Sequence, residues 1–84
     1  MEKTEIEIKI LTQLRNWDNK HLNSWLSRED FKKMIDEEND DIVDQYVREL
    51  EEECYVKLNY GIGAYFHDIR ITKKGRDLLK SWNV

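Results

Sequence analysis

The stretch CYVKLNYGIGAYFHDIRITKKGRDLL, Cys54 to Leu79, changes its hydrophobic period twice. From Cys54 onward, Val56 and Leu58 alternate with Tyr55, Lys57 and Asn59, the period-two pattern of a half-buried strand. After the Gly61-Ile62-Gly63-Ala64 turn, Tyr65, His67, Ile69 and Ile71 alternate with Phe66, Asp68 and Arg70. This predicts a return strand, and so a β-hairpin with His67 on its apolar face. Thr72 then stands where it can cap a helix whose apolar stripe is Leu78, Leu79 and Trp82, with Gly75 allowing close backbone packing.

Upstream of the hairpin the period is helical. Thr4 and Glu7 have capping-box spacing, and Ile6, Ile10, Leu11, Leu14 and Trp17 recur at helical intervals, predicting a first helix over about residues 4 to 17. The segment DNKHLNS breaks it, and a short apolar stretch follows at Trp25 and Leu26. Ser27 and Asp30 then open a second helix, about 28 to 37, that buries Phe31, Met34 and Ile35 and leaves Arg28, Lys32, Lys33 and Asp36 to solvent. Asn39 caps a third helix running to about Glu53, with Asp40 and Asp41 at the positive end of its dipole. Its buried stripe is Ile42, Val43, Tyr46, Val47 and Leu50; Asp41, Asp44, Gln45, Arg48, Glu49 and Glu52 lie opposite.

The 84 residues allow one domain, spanning 1–84, because a second core could not be built from what the first leaves over. Charged residues make up 38% of the chain, yet they interleave with apolar ones at regular spacing, which disordered tails do not show. The single cysteine, Cys54, excludes an intramolecular disulfide, so a cytoplasmic location is expected. The N-terminus MEKTEIEIKI is acidic and amphipathic, unlike a signal peptide, and no apolar run is long enough for a membrane span.

Helix, short strand, helix, helix, hairpin, helix is an α+β order of elements, that of a winged helix: a three-helix core with a helix-turn-helix, a C-terminal β-hairpin wing and a short final helix. The segment from Leu50 to Leu79 resembles the part of small MarR/PadR-type winged-helix regulators that runs from the recognition helix through the wing. Tyr55-Val56 and Ile71-Thr72-Lys73-Lys74-Gly75 match the family pattern, while Cys54 stands where the family usually has glycine. The resemblance implies a small DNA-binding transcriptional regulator whose third helix enters the major groove while the wing touches the backbone or minor groove; by residue type, Gln45 and Arg48 are the base readers that helix offers.

Charge pulls the other way. Residues 1–39 carry a net −2, residues 40–53 a net −6 and residues 54–84 a net +4. Non-specific DNA affinity comes from Lys and Arg neutralising phosphates. An exposed like-charge pair in contact costs roughly 1 kcal/mol, so two or three of them remove about a hundredfold in affinity. The basic, aromatic C-terminal surface is therefore the nucleic-acid candidate: Lys57, Asn59, Tyr60, Tyr65, His67, Arg70, Lys73 and Lys74, beside Gln45 and Arg48. For a protein partner the candidates are Asp41, Asp44, Glu49 and Glu52 on the acidic helix and Ile62, Phe66 and Trp82 elsewhere, Trp82 also suiting a homodimer contact.

No enzyme, cofactor or metal site is expected. His67 on an apolar strand face reads as a partly buried side chain, and His21 lies in a polar loop. Cys54, with no neighbouring His or Lys in sequence, reads as a buried, inert thiol. Gly61-x-Gly63 lacks the third glycine and the helix of a nucleotide loop. Two readings stay open: a regulator that binds double-stranded DNA, and a winged helix that binds a protein.

Overall fold

Three capping side chains set where helices begin. The Ser27 hydroxyl accepts a hydrogen bond from the Asp30 N–H at 3.2 Å, and the Asn39 side chain accepts from the N–H groups of Asp41 and Ile42 at 3.1 and 3.3 Å. The Thr72 hydroxyl accepts from the Gly75 N–H at 3.0 Å. Each satisfies a donor that the first helical turn leaves over. In the computed structural model, which describes residues 3–22, 24–36, 39–63 and 65–83, the elements are α1 (Lys3–Lys20), β1 (Leu26–Ser27), α2 (Arg28–Ile35), α3 (Asp40–Glu52), β2 (Val56–Tyr60), β3 (Phe66–Ile71) and α4 (Lys73–Ser81). The fold is α+β, with four helices and one antiparallel sheet in the order β1-β3-β2. Ala64 of the expected turn and the expected end of the second helix at residue 37 lie outside the described residues.

One core joins all seven elements. Ile6, Ile10, Leu11 and Leu14 of α1 meet Leu26, Phe31, Ile35, Val43, Val47 and Leu50, and the sheet adds Val56, Phe66, Ile69 and Ile71. Trp17, Met34, Ile42, Tyr46, Leu58, Leu78 and Trp82 pack around it, partly buried. Trp82 thus spends much of its ring on its own domain.

The first helix is longer than its apolar stripe. It runs a turn beyond Trp17 because that turn is held from outside: the Trp17 and His21 rings stack with centroids 4.0 Å apart, and Asp18 is tied to α4 and β3. Thr4 lies inside the helix, not at its cap.

The hairpin corrects one register. Asn59 pairs with Asp68 but Tyr60 pairs with Phe66, so β3 carries an extra residue, His67. A one-residue slip exchanges the faces of a strand. Phe66 therefore turns inward and meets Phe31 edge-on at 6.0 Å, while His67, expected on the apolar face, is exposed with its ring against Gly61. Phe66 is not an exposed contact residue.

Cys54 corrects another expectation, because its thiol is exposed rather than buried. The residue adopts φ 66°, the left-handed conformation that lets α3 turn directly into β2, and its carbonyl accepts from the Thr72 hydroxyl at 2.6 Å. Side chains pay roughly 1–2 kcal/mol for that conformation and glycine does not, although glycine's freer unfolded chain returns about half. Cys54→Gly is expected to stabilise the domain by about 0.5–1 kcal/mol, read as a higher urea midpoint at unchanged slope. A lower midpoint would mean the turn carries no strain.

Candidate functional site

Burial of Val43, Val47 and Leu50 fixes the roll of α3 and leaves Asp41, Gln45, Arg48 and Glu52 as an exposed ridge. Beside this ridge the hairpin stands up from the core, and the two enclose a cleft of about 250 Å³. Its α3 wall carries Asp41, Asp44, Gln45 and Arg48; its hairpin wall carries Leu58, Tyr60 and Tyr65, with Phe66 behind.

Arg28 and Lys32 of α2, expected to point into solvent, instead reach into this wall. Arg28 donates to Asp44 at 2.8 Å while its guanidinium lies over the rings of Tyr65 and Phe66, 4.5 and 4.9 Å from their centroids. Lys32 Nζ is 3.0 Å from the other Asp44 oxygen and donates to the Asp40 carbonyl at 3.1 Å. Burial raises the Asp44 pKa, but the hydrogen bonds from Arg28 and Lys32 outweigh it and hold the carboxyl below the usual range. Across the cleft the Tyr60 hydroxyl donates to Glu51 at 3.1 Å, and burial together with that bond pushes the phenol pKa up. Glu49 is on the far side of the helix, 3.0 Å from Lys3. Neither Arg28 nor Lys32 was legible as a site residue: they meet α3 through tertiary packing, and no local periodicity carries that signal.

The basic residues gather elsewhere. Lys57 pairs with Arg70 at the base of the hairpin, one step from the Val56–Ile71 pair, and Lys73 and Lys74 open α4 just beyond. Several are already engaged. Arg76 is bonded to Asp18 and to Asn19, the latter at 3.0 Å, while Arg70 is 3.8 Å from Asp18 and lies over Trp25. Lys74 donates to the Glu53 carbonyl at 2.8 Å and covers the Tyr55 ring. The turn end of the hairpin carries no described Lys or Arg: it presents Ile62, fully exposed, with Tyr60 and Tyr65 about half exposed, and Asn59 bonded to Asp68. The residues expected to form one basic and aromatic surface thus fall into two groups at opposite ends of the hairpin.

Among the described residues, no group of three or more His, Cys, Asp or Glu side chains could hold a metal ion, and no helix is long and apolar enough to cross a membrane. No family model, curated protein or solved structure matches this chain.

Proposed function

We propose that this domain is a winged helix whose hairpin is the wing, and that it works by binding a protein segment that carries basic and apolar side chains in the cleft between α3 and the wing. The observation that carries this reading is the fate of the cations beside α3: Arg28 and Lys32 are spent on Asp44, so the outward ridge keeps Asp41 and Glu52 at its ends, with Arg48 between them, beside an aromatic wall. A phosphate backbone would meet Asp41 and Glu52 at the ends of that ridge and an apolar wing tip; a Lys- or Arg-bearing segment would meet complementary charge at those two carboxylates.

DNA binding is the second reading, and one observation favours it. Gln45 and Arg48, three residues apart and both exposed, are the residue types that read adenine and guanine edges, and they sit mid-helix where a recognition helix would present them.

Fluorescence anisotropy separates the two. A labelled heptapeptide alternating Lys and Val is expected to bind at micromolar to millimolar concentration, and labelled random-sequence duplex DNA is expected not to bind at micromolar protein in about 50 mM salt. The pair Asp41→Lys and Glu52→Lys, on exposed positions, is expected to weaken the peptide about tenfold. DNA binding that falls by several orders of magnitude at about 200 mM salt would establish the regulator reading instead.

A further inference from the structure

The face of the sheet turned away from the core carries its own pattern. Leu26, Val56, Ile69 and Ile71 are buried, so their chain neighbours Trp25, Lys57 and Arg70 point the other way. The register sets these three in one row across the strands: Leu26 pairs with Ile69, which brings Trp25 beside Arg70, and Arg70 pairs with Lys57. The Arg70 guanidinium is 5.7 Å from the centre of the Trp25 ring. That ring keeps 39% of its exposure, and a cleft of about 340 Å³ opens beside it, Lys57 and Thr72.

A second basic face joins this row at a corner. Lys73, Arg76 and Lys80 recur at helical spacing along one side of α4. Arg76 is bonded to Asp18, and Arg70 is 3.8 Å from the other oxygen of the same carboxylate, so the helix face and the sheet face meet there. Together they carry five cations, Lys57, Arg70, Lys73, Arg76 and Lys80, against Asp18, Asp68 and Asp77, a net +2 on a chain of net −4. Asp18 is buried between its arginines and Asp68 is bonded to Asn59, which leaves Asp77 as the exposed carboxylate. At the rim Glu51 is taken by Tyr60, and exposed Glu53 is matched by Lys74, which reaches its carbonyl. Among the described residues Lys57, Lys73 and Lys80 have no ion-pair partner.

We infer that this surface binds a single strand of nucleic acid, with one base stacked on Trp25 and the phosphates held by Arg70, Lys57 and the lysines of α4. Adjacent strands lie about 4.8 Å apart, so Arg70 and Lys57 stand roughly 5 and 10 Å from the ring, on the path of a backbone leaving a stacked base. A duplex hides its base faces and is read by an element that enters a groove, whereas this surface offers a sheet face with a ring on it. An acidic peptide would use the lysines and leave Trp25 idle. Trp25, Arg70, Lys73 and Lys80 do not line the cleft between α3 and the hairpin, so this inference and the protein-binding reading stand or fall separately.

The probe is a fluorescein-labelled oligothymidylate of about 12 nucleotides, followed by anisotropy on the whole chain. It is expected to bind at micromolar protein in about 20 mM salt and about a hundredfold more weakly at about 200 mM, as three phosphate contacts at a slope of roughly 0.7 each require. Trp25→Ala should weaken it at least fivefold and the pair Lys57→Glu with Lys73→Glu at least tenfold, with amide spectra showing that both variants keep the fold. The matching duplex and an oligoglutamate of equal charge should bind less tightly, and neither should respond to Trp25→Ala. Equal binding of the oligoglutamate, with Trp25→Ala changing neither ligand, would assign the surface to acidic protein segments and overturn the inference. So would a strand that survives Trp25→Ala but is lost with Arg48→Ala, since it would then lie on α3, or no binding at up to about 1 mM protein in low salt.

Discussion

Gly75→Ala is expected to lower the thermal midpoint by about 10–20 °C. A Cβ at position 75 would lie 2.8 Å from Ile71 Cγ1 and closer still to the Tyr55 carbonyl oxygen. Neither neighbour has room to give: that carbonyl accepts from the Thr72 N–H, and Ile71 is buried in the core. The remedy is to displace the first turn of α4, which would pull the Thr72 cap off Cys54. Overpacking of this kind costs roughly 1–3 kcal/mol, and each kcal/mol is worth about 4–8 °C in a domain of this size. Calorimetry reads the shift directly. An unchanged midpoint would mean that α4 is only loosely seated on the hairpin.

The second large effect is expected at Asp18. Its carboxylate is 8% exposed and binds Arg76 of α4 while standing 3.8 Å from Arg70 of β3, so one side chain at the end of α1 joins three elements. Asp18→Ala would leave two guanidinium groups facing each other across the gap. Breaking a buried pair costs about 3–5 kcal/mol, but these arginines keep 26% and 30% of their exposure, so solvent screening brings the expected cost to about 2 kcal/mol. Urea unfolding should show it. The double change Asp18→Leu with Arg76→Leu should cost less than Asp18→Ala, since it removes a charge along with its partner; a larger cost would mean that packing, not charge, holds this corner.

Much of the fold was legible in residues that act locally. Ser27, Asn39 and Thr72 mark helix starts because a capping side chain bonds two or three positions away, within reach of sequence reading. The end of the hairpin at Ile71 follows from alternation in the same way, while the strand expected from Cys54 begins only at Val56. What escaped depends on the chain's return through space. His67 and Phe66 exchange faces because of one extra residue in β3, which alternation by itself does not reveal. Arg28 and Lys32 look like solvent-facing residues until α3 brings Asp44 against them, and Asp18 looks like a helix-ending polar residue until α4 arrives. Cys54 looked buried by its chemistry, whereas its backbone conformation decides the matter. The candidate site suffered most, since its electrostatics are made by such distant pairs.

The pairing of Leu26 with Ile69 also fixes when this protein can become a folded object. Leu26 belongs to the first third of the chain, is completely buried, and has its strand partner 43 positions later. While the chain is being synthesised, α1, α2 and α3 can form in turn, but β1 has nothing to pair with until β3 has emerged. The acidic α3 can then rest on α1, with its sheet-facing side still open, until β3 has left the ribosome and the sheet closes.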